Sequence, residues 1–289
     1  MTKKITFKGD CPLHIATYKR EDNIIPDEIY IQGECIYVEK DNEIIIFGND
    51  INRILLPYNN HEVEELLISN HCNDTLIEIG DSLKPNLKVC SQSGKIILKN
   101  TDLNECNLTS LAGGIVLIDS TLNTIKISGF SDSIFLEKST INKQAILRNS
   151  YGEISINESN IKWSKIRTDS GDITINDCNK DFEQIFKIRS SDGMIKVNNS
   201  KMMETEIKTT LGTISINDSI INKAELGIYR EDNKIIINKS QIESLKTESY
   251  LSPKIIESEI MNHSSTILED ILPEGNFKTS GKILILKQK

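Results

Sequence analysis

The sequence predicts an all-β protein: a single-stranded parallel β-solenoid, right-handed, with about 20 residues per rung and a β cap at its N-terminus. Three observations carry the prediction. A Gly-x-Ile-x-Ile motif recurs down the chain. Its first apolar position advances by a nearly constant step. Apolar and polar residues alternate inside every copy.

The copies include Gly94-Lys95-Ile96-Ile97-Leu98, Gly152-Glu153-Ile154-Ser155-Ile156, Gly171-Asp172-Ile173-Thr174-Ile175 and Gly212-Thr213-Ile214-Ser215-Ile216, with weaker versions at Leu76, Ile255 and Ile283. From Leu76 to Ile255 the step is 20, 19, 19, 20, 19, 22, 19, 21 and 20 residues. Ahead of each glycine runs a second inward column, Val89, Leu108, Ile127, Leu147, Ile166, Ile188, Ile207 and Ile228. A third follows later, Leu103, Leu122, Ile141, Ile161, Met202, Ile221 and Ile242. Enrichment in Ile, Val and Thr favours strand over helix. One such unit cannot bury its own apolar face, whereas stacked units share a continuous core. A step varying between 19 and 22 does not fit the rigid six-residue period of a left-handed hexapeptide helix, so the solenoid is expected to be right-handed. No proline occurs between Pro85 and Pro253, as uninterrupted ladders require.

The corners carry their own columns. Asn157, Asn176, Asn198, Asn217 and Asn238 recur at one position, a candidate structural ladder of stacked amides. Two residues later come Ser159, Cys178, Ser200, Ser219 and Ser240, placed to satisfy corner backbone groups. The Asn-x-Ser pattern is thereby explained without glycosylation. The repeated glycines are expected to permit corner dihedrals that a Cβ would resist.

Residues 1–60 contain strand-like segments out of register with the repeats, and are expected to cap the solenoid. Pro57-Tyr58-Asn59-Asn60 reads as a turn into the repeats, which fill 61–289 with an irregular insertion near 261–276. The last segment, Lys282-Ile283-Leu284-Ile285-Leu286-Lys287-Gln288-Lys289, is apolar and flanked by lysine, a guard against aggregation or a site of end-to-end joining.

The chain has 289 residues, a formal charge of −8 and only 5 % aromatics, so its core must be aliphatic. The acidic balance excludes a bulk nucleic-acid binder, and no apolar run is long enough for a membrane span. The first ten residues lack the apolar stretch of a secretory signal, which gives a cytoplasmic expectation; the alternative is the cell surface, by a non-classical route or from a trimmed chain. Six scattered cysteines, Cys11, Cys35, Cys72, Cys90, Cys106 and Cys178, suggest reduced thiols. His71-Cys72 has no accompanying Cys-x-x-Cys and reads as a turn, so neither metal nor cofactor is expected.

Some β-helices cleave polysaccharides with clustered acids, but here Glu137, Glu153, Glu158, Asp169, Asp172, Asp177 and Asp218 spread over many columns, as solvated corners would. The most distinctive candidate is a basic column. Arg148, Arg167, Arg189 and Lys208 occupy one outward position of four successive rungs, with Lys126, Lys165 and Lys187 two residues earlier. Like charges stacked at rung spacing repel. Glu153, Asp172 and Glu206 are the expected neutralisers within the chain; an anionic partner is the other source of compensation.

Thr168-Asp169-Ser170-Gly171-Asp172-Ile173-Thr174-Ile175 resembles the Ser-Gly-Asp-Ile-x-Ile repeat of the bacterial putative-adhesin family, with looser versions at Ser91–Ile96, Ser190–Ile195 and Ser280–Ile283. That resemblance, over residues 70 to 289, implies a right-handed β-solenoid without established catalysis, often at the bacterial envelope. The expectation is a non-enzymatic binding or assembly scaffold presenting a rigid ladder surface to a protein, an anionic polymer or an envelope component. The alternatives are a structural protein polymerising through its ends as a homo-oligomer, and a polysaccharide-active enzyme.

Overall fold

The computed structural model describes residues 3–17, 29–40, 42–56, 63–80, 84–178 and 183–268. Among these there are 26 strands in one continuous sheet and no helix. The chain winds as a β-solenoid of about ten turns, roughly 19 residues per rung.

The alternating pattern decides the local structure. The Gly-x-Ile-x-Ile copies become four-residue strands whose first and third side chains are buried and whose second and fourth are half-buried, as in Ile154–Asn157, Ile173–Asn176 and Ile214–Asn217, with Lys99 exposed at the end of Ile96–Lys99. Successive copies pair in parallel, so Ile96, Ile115, Ile134, Ile154, Ile173, Ile195, Ile214 and Ile235 stack in one file. Burying such a side chain fully contributes about 1.5–3 kcal/mol, and the file lies inside a single core cluster that runs through the stack.

Three assignments within the files differ from the periodicity. Thr75, not Leu76, pairs with Ile96, and Leu76 sits on the half-buried outer side. Ile255 aligns with Ile237 rather than Ile235. In the second file Ile207 is followed by Leu226, while Ile228 pairs with Thr209. The physical reason is shared: rungs differ in corner length, and the ladder follows backbone hydrogen bonds rather than the nearest isoleucine.

The glycines also have a different task. None of the file Gly94, Gly113, Gly152, Gly171, Gly193 and Gly212 has positive φ. A Cβ at any of them would overlap the backbone carbonyl of the rung below, which for Gly171 belongs to Gly152. These positions are empty so that two backbones can approach closely. The left-handed corner residues are Asn100, Asp119, Lys138, Glu158, Asp177, Asn199, Asp218, Lys239 and Glu257, with φ of 44–55°. Each is followed by a hydroxyl or thiol, buried at every corner but the last, where Ser258 is half-buried. Ser200 Oγ donates to the Asn198 carbonyl at 2.8 Å and accepts the Cys178 N–H at 3.2 Å, and Ser120, Ser139, Ser219, Ser240 and Ser258 repeat this arrangement. The serine relay supplies the hydrogen bonds that the tight corner denies to the ladder.

The third file lacks an apolar residue between Ile161 and Met202. There the buried side-chain amide of Gln184 accepts the Ile161 N–H at 3.1 Å and donates to the carbonyls of Cys178 at 2.9 Å and Lys201 at 3.2 Å. The primary amide imitates a peptide group and carries the ladder across the rung with the 22-residue step.

At the N-terminal end the strands do not follow chain order. β1 (Lys3–Gly9) and β2 (Leu13–Thr17) form a rung between β4 (Glu43–Leu56) and the pair β5 (Val63–Asn70) and β6 (Thr75–Glu78). Ile5, Phe7, Leu13 and Ile15 join Ile46, Ile54 and Leu56 in the shared core. β3 (Tyr30–Lys40) runs antiparallel along β4 and leaves Ile36, Tyr37 and Val38 exposed. At the other end, Glu259–Ile267 is a parallel strand on Gln241–Ser249, so the first part of the expected insertion is ladder. The rest of that insertion, the Pro57–Asn60 turn and the lysine-flanked segment 282–289 lie outside the described residues.

The glycine assignment is testable. Gly171→Ala is expected to lower unfolding free energy in urea titrations by about 1–3 kcal/mol through overpacking against a backbone that cannot yield. Gly114→Ala, whose Cβ would meet nothing closer than 3.4 Å, is expected to stay within about 0.5 kcal/mol of the parent.

Candidate functional site

The strands Thr140–Asn149, Trp163–Thr168, Ile185–Ser190 and Lys201–Thr209 lie side by side in parallel. Leu147, Ile166, Ile188 and Ile207 point inward, so the next residue of each must point out. The register therefore stacks Arg148, Arg167, Arg189 and Lys208 directly on one another. The second basic row is less regular. Lys165 pairs with Lys187, but Ile146 stands between Lys126 and Lys165, and Glu206 and Glu225 continue the row beyond Lys187.

Those two glutamates set the electrostatics. Glu206 accepts from Lys208 Nζ at 2.9 Å and an Arg189 guanidinium nitrogen at 3.0 Å, with Lys187 Nζ at 3.9 Å. Glu225 lies 3.4 Å from both Lys208 and Lys246. The Lys208 ammonium, aided by Arg189, holds the Glu206 carboxyl below the usual carboxylate range, and Glu206 in return raises the Lys208 pKa. Arg167 pairs with Asp169 at 3.3 Å across an exposed corner. Glu153 and Asp172, expected to neutralise the column, do not pair with it. Asp172 instead accepts the Met194 N–H at 2.7 Å within its corner. Among the described residues, Lys126, Arg148 and Lys165 have no carboxylate within ion-pairing distance.

Around the upper part of the column lies an open groove of about 410 Å³. Its walls are Arg167, Arg189 and Lys208, a row of hydroxyls from Thr168, Ser190 and Thr209, the exposed Ser191 and Thr210, and Tyr229 at one end. Thr168 and Thr209 are held by the N–H groups of Gly171 and Gly212, which they accept at 2.9 and 3.1 Å. Burial and the nearby Glu248 raise the Tyr229 pKa, so its phenol stays protonated at neutral pH. At its surface the groove joins two planar guanidinium forks, one ammonium and the exposed hydroxyls of Ser191 and Thr210, while Thr168, Ser190 and Thr209 are buried and bonded to backbone. This donor set suits carboxylate, sulfate or phosphate oxygens. Sequence reading found the cations but not the hydroxyl row or Tyr229. The signal was present: a Ser or Thr follows Arg167, Arg189 and Lys208 directly.

The amide ladder is a separate feature. Asn217 donates to Asn198 at 2.8 Å, Asn198 to Asn176 at 2.7 Å and Asn176 to Asn157 at 2.8 Å. Asn238 shares their register through the backbone. At the N-terminal end, Asp10 accepts the Cys72 N–H at 2.8 Å and the Asn73 amide at 2.9 Å, which lowers its pKa. No group of three metal-ligating side chains forms among the described residues. No disulfide joins the six cysteines; burial pushes the Cys178 thiol up to about 12 and that of Cys106 higher still.

The pairing of Glu206 makes a pH prediction. Its folded pKa lies below the unfolded value, so its stabilisation is complete above the unfolded value, about 4.3, and disappears as pH falls through the folded one. Glu206→Gln is expected to lower the urea midpoint at neutral pH by a constant amount down to about pH 6. The two proteins should converge in strong acid. A difference that persists unchanged there would assign the loss to packing.

Comparison with known proteins agrees with the repeat architecture and adds no partner. No curated protein and no solved structure matches the chain. The model of a family described as Toastrack DUF4097, a domain of unknown function, matches residues 36–186, more than half of the 289, from β3 through the lower part of the basic column. The chain belongs to the Toastrack DUF4097 family.

Proposed function

We propose that the chain is a non-enzymatic β-solenoid scaffold that presents its basic ladder face to an anionic partner. The observation that carries this reading is the in-register file Arg148, Arg167, Arg189 and Lys208, flanked by Lys126 and Lys165 and only partly neutralised. Cations held about 4.8 Å apart repel one another. An anionic surface laid along the file relieves that repulsion and meets several contacts at once on a frame that does not rearrange. The groove gathers cations and hydroxyls rather than carboxylates, and Asp169 and Asp172 are engaged elsewhere, which supports binding over acid–base chemistry. Adhesion to an acidic surface would be one instance of this role.

Immobilised heparin tests the reading as a generic polyanion. The parent protein is expected to be retained at low salt and released by added salt despite its net charge of −8. The triple variant Arg148→Glu, Arg167→Glu, Arg189→Glu should run in the flow-through with an unchanged far-ultraviolet spectrum. Passage of the parent without retention, or equal elution of both proteins, would remove the basic column as the site.

A further inference from the structure

The corner that follows the basic column carries exposed apolar side chains on its turn tips. Leu111, Phe130 and Tyr151 are 54 %, 49 % and 59 % exposed. They stand on three successive rungs, with the Tyr151 N–H donating to the Phe130 carbonyl. Phe130 and Tyr151 touch edge to face at 5.2 Å between ring centres, so each ring packs on the other instead of on the core. Farther along the same corner Leu211, Tyr229 and Leu251 are also exposed.

A second, independent observation coincides with the first. Among the described residues, the members of the two basic rows that lack a carboxylate partner are Lys126, Arg148 and Lys165, and Lys126 and Arg148 belong to the rungs that bear Phe130 and Tyr151. Toward the C-terminus, Arg189 and Lys208 share Glu206 and are partly neutralised by it, and the corner turns polar at Asp169, Ser170, Ser191 and Asp192. Of the acids nearest the ridge, Asp132 accepts the Ser133 N–H at 2.8 Å and Asp169 pairs with Arg167, while Glu153, two residues after Tyr151, is exposed.

We infer that this corner is a contact ridge for an anionic lipid surface, the apolar tips entering the interface while the unpaired cations meet lipid headgroups. It rests on the proposed anionic partner for its charge and adds the class of that partner. Aromatic and aliphatic tips beside lysine and arginine are the side-chain set of a membrane interface. Successive tips are set by parallel rungs about 4.8 Å apart, and Leu111 and Phe130 border an open recess of about 530 Å³ with Cys72, Gln92, Ser93, Ala112 and Ser131.

Co-sedimentation with vesicles tests the ridge, using equal parts phosphatidylglycerol and phosphatidylcholine against phosphatidylcholine alone at low ionic strength. The parent protein is expected to pellet with the first and stay in solution with the second. Lys126→Ala, Arg148→Ala, Lys165→Ala together should weaken vesicle binding about a hundredfold, at roughly five-fold per cation. Phe130→Ser with Tyr151→Ser, both at exposed positions, should weaken it about tenfold or more and leave heparin retention unchanged. Vesicle binding untouched by Phe130→Ser and Tyr151→Ser would overturn the ridge. Heparin retention without vesicle binding would overturn the lipid contact and leave the anion-binding scaffold standing. Absence of both would overturn both.

Discussion

The parallel backbone ladder between successive rungs is the constraint on which everything else depends. Because each strand hydrogen-bonds to the one below and the one above, a residue's neighbours are the residues at its own position one coil away. Like therefore stacks on like. For Ile173, Ile195 and Ile214 this is favourable, since identical aliphatic shapes fill the interior without gaps. For Asn157 through Asn217 it is favourable again, because an amide both donates and accepts. For Arg148, Arg167 and Arg189 it is unfavourable, since guanidinium groups only donate and all carry positive charge.

The ladder also explains where special residues are needed. Backbones that approach as closely as Gly152 and Gly171 leave no room for a Cβ. Corners that turn through Glu158 or Asp177 in the left-handed region leave backbone groups for Ser159 and Ser200 to satisfy. Where the rung lengthens between Cys178 and Gln184, a side-chain amide takes the place of a peptide. A stacked sheet tolerates variation in corner length only if every interrupted backbone bond finds a substitute.

The basic file shows how one rule both creates a problem and partly solves it. Moving up the stack, the position of Lys165 and Lys187 is taken by Glu206 and Glu225, and these carboxylates draw in Arg189 and Lys208. Below them Lys126, Arg148 and Lys165 keep their charge open to solvent. The face is thus graded, partly neutralised at one end and cationic at the other, and the exposed aromatic tips of Phe130 and Tyr151 fall at the cationic end.

Alternation with period two and a recurring step were enough to establish strands, stacking and the identity of the Asn and Arg files from the chain alone, because a parallel ladder maps equal spacing in sequence onto contact in space. Those two signals could not determine which residue of a rung starts its file, so Thr75 took the place assigned to Leu76, and Leu226 that assigned to Ile228. Nor could they show that glycine serves close approach while Asn, Asp, Lys and Glu take the left-handed corners, since both demands recur with the same period. The pairing of Glu206 rather than Glu153 with the cations, and the entry of β1 and β2 between β4 and β5, were decided only by the assembled stack. Each depends on which faces and edges meet sideways or out of chain order, and burial selects among those arrangements only after the coils are in contact.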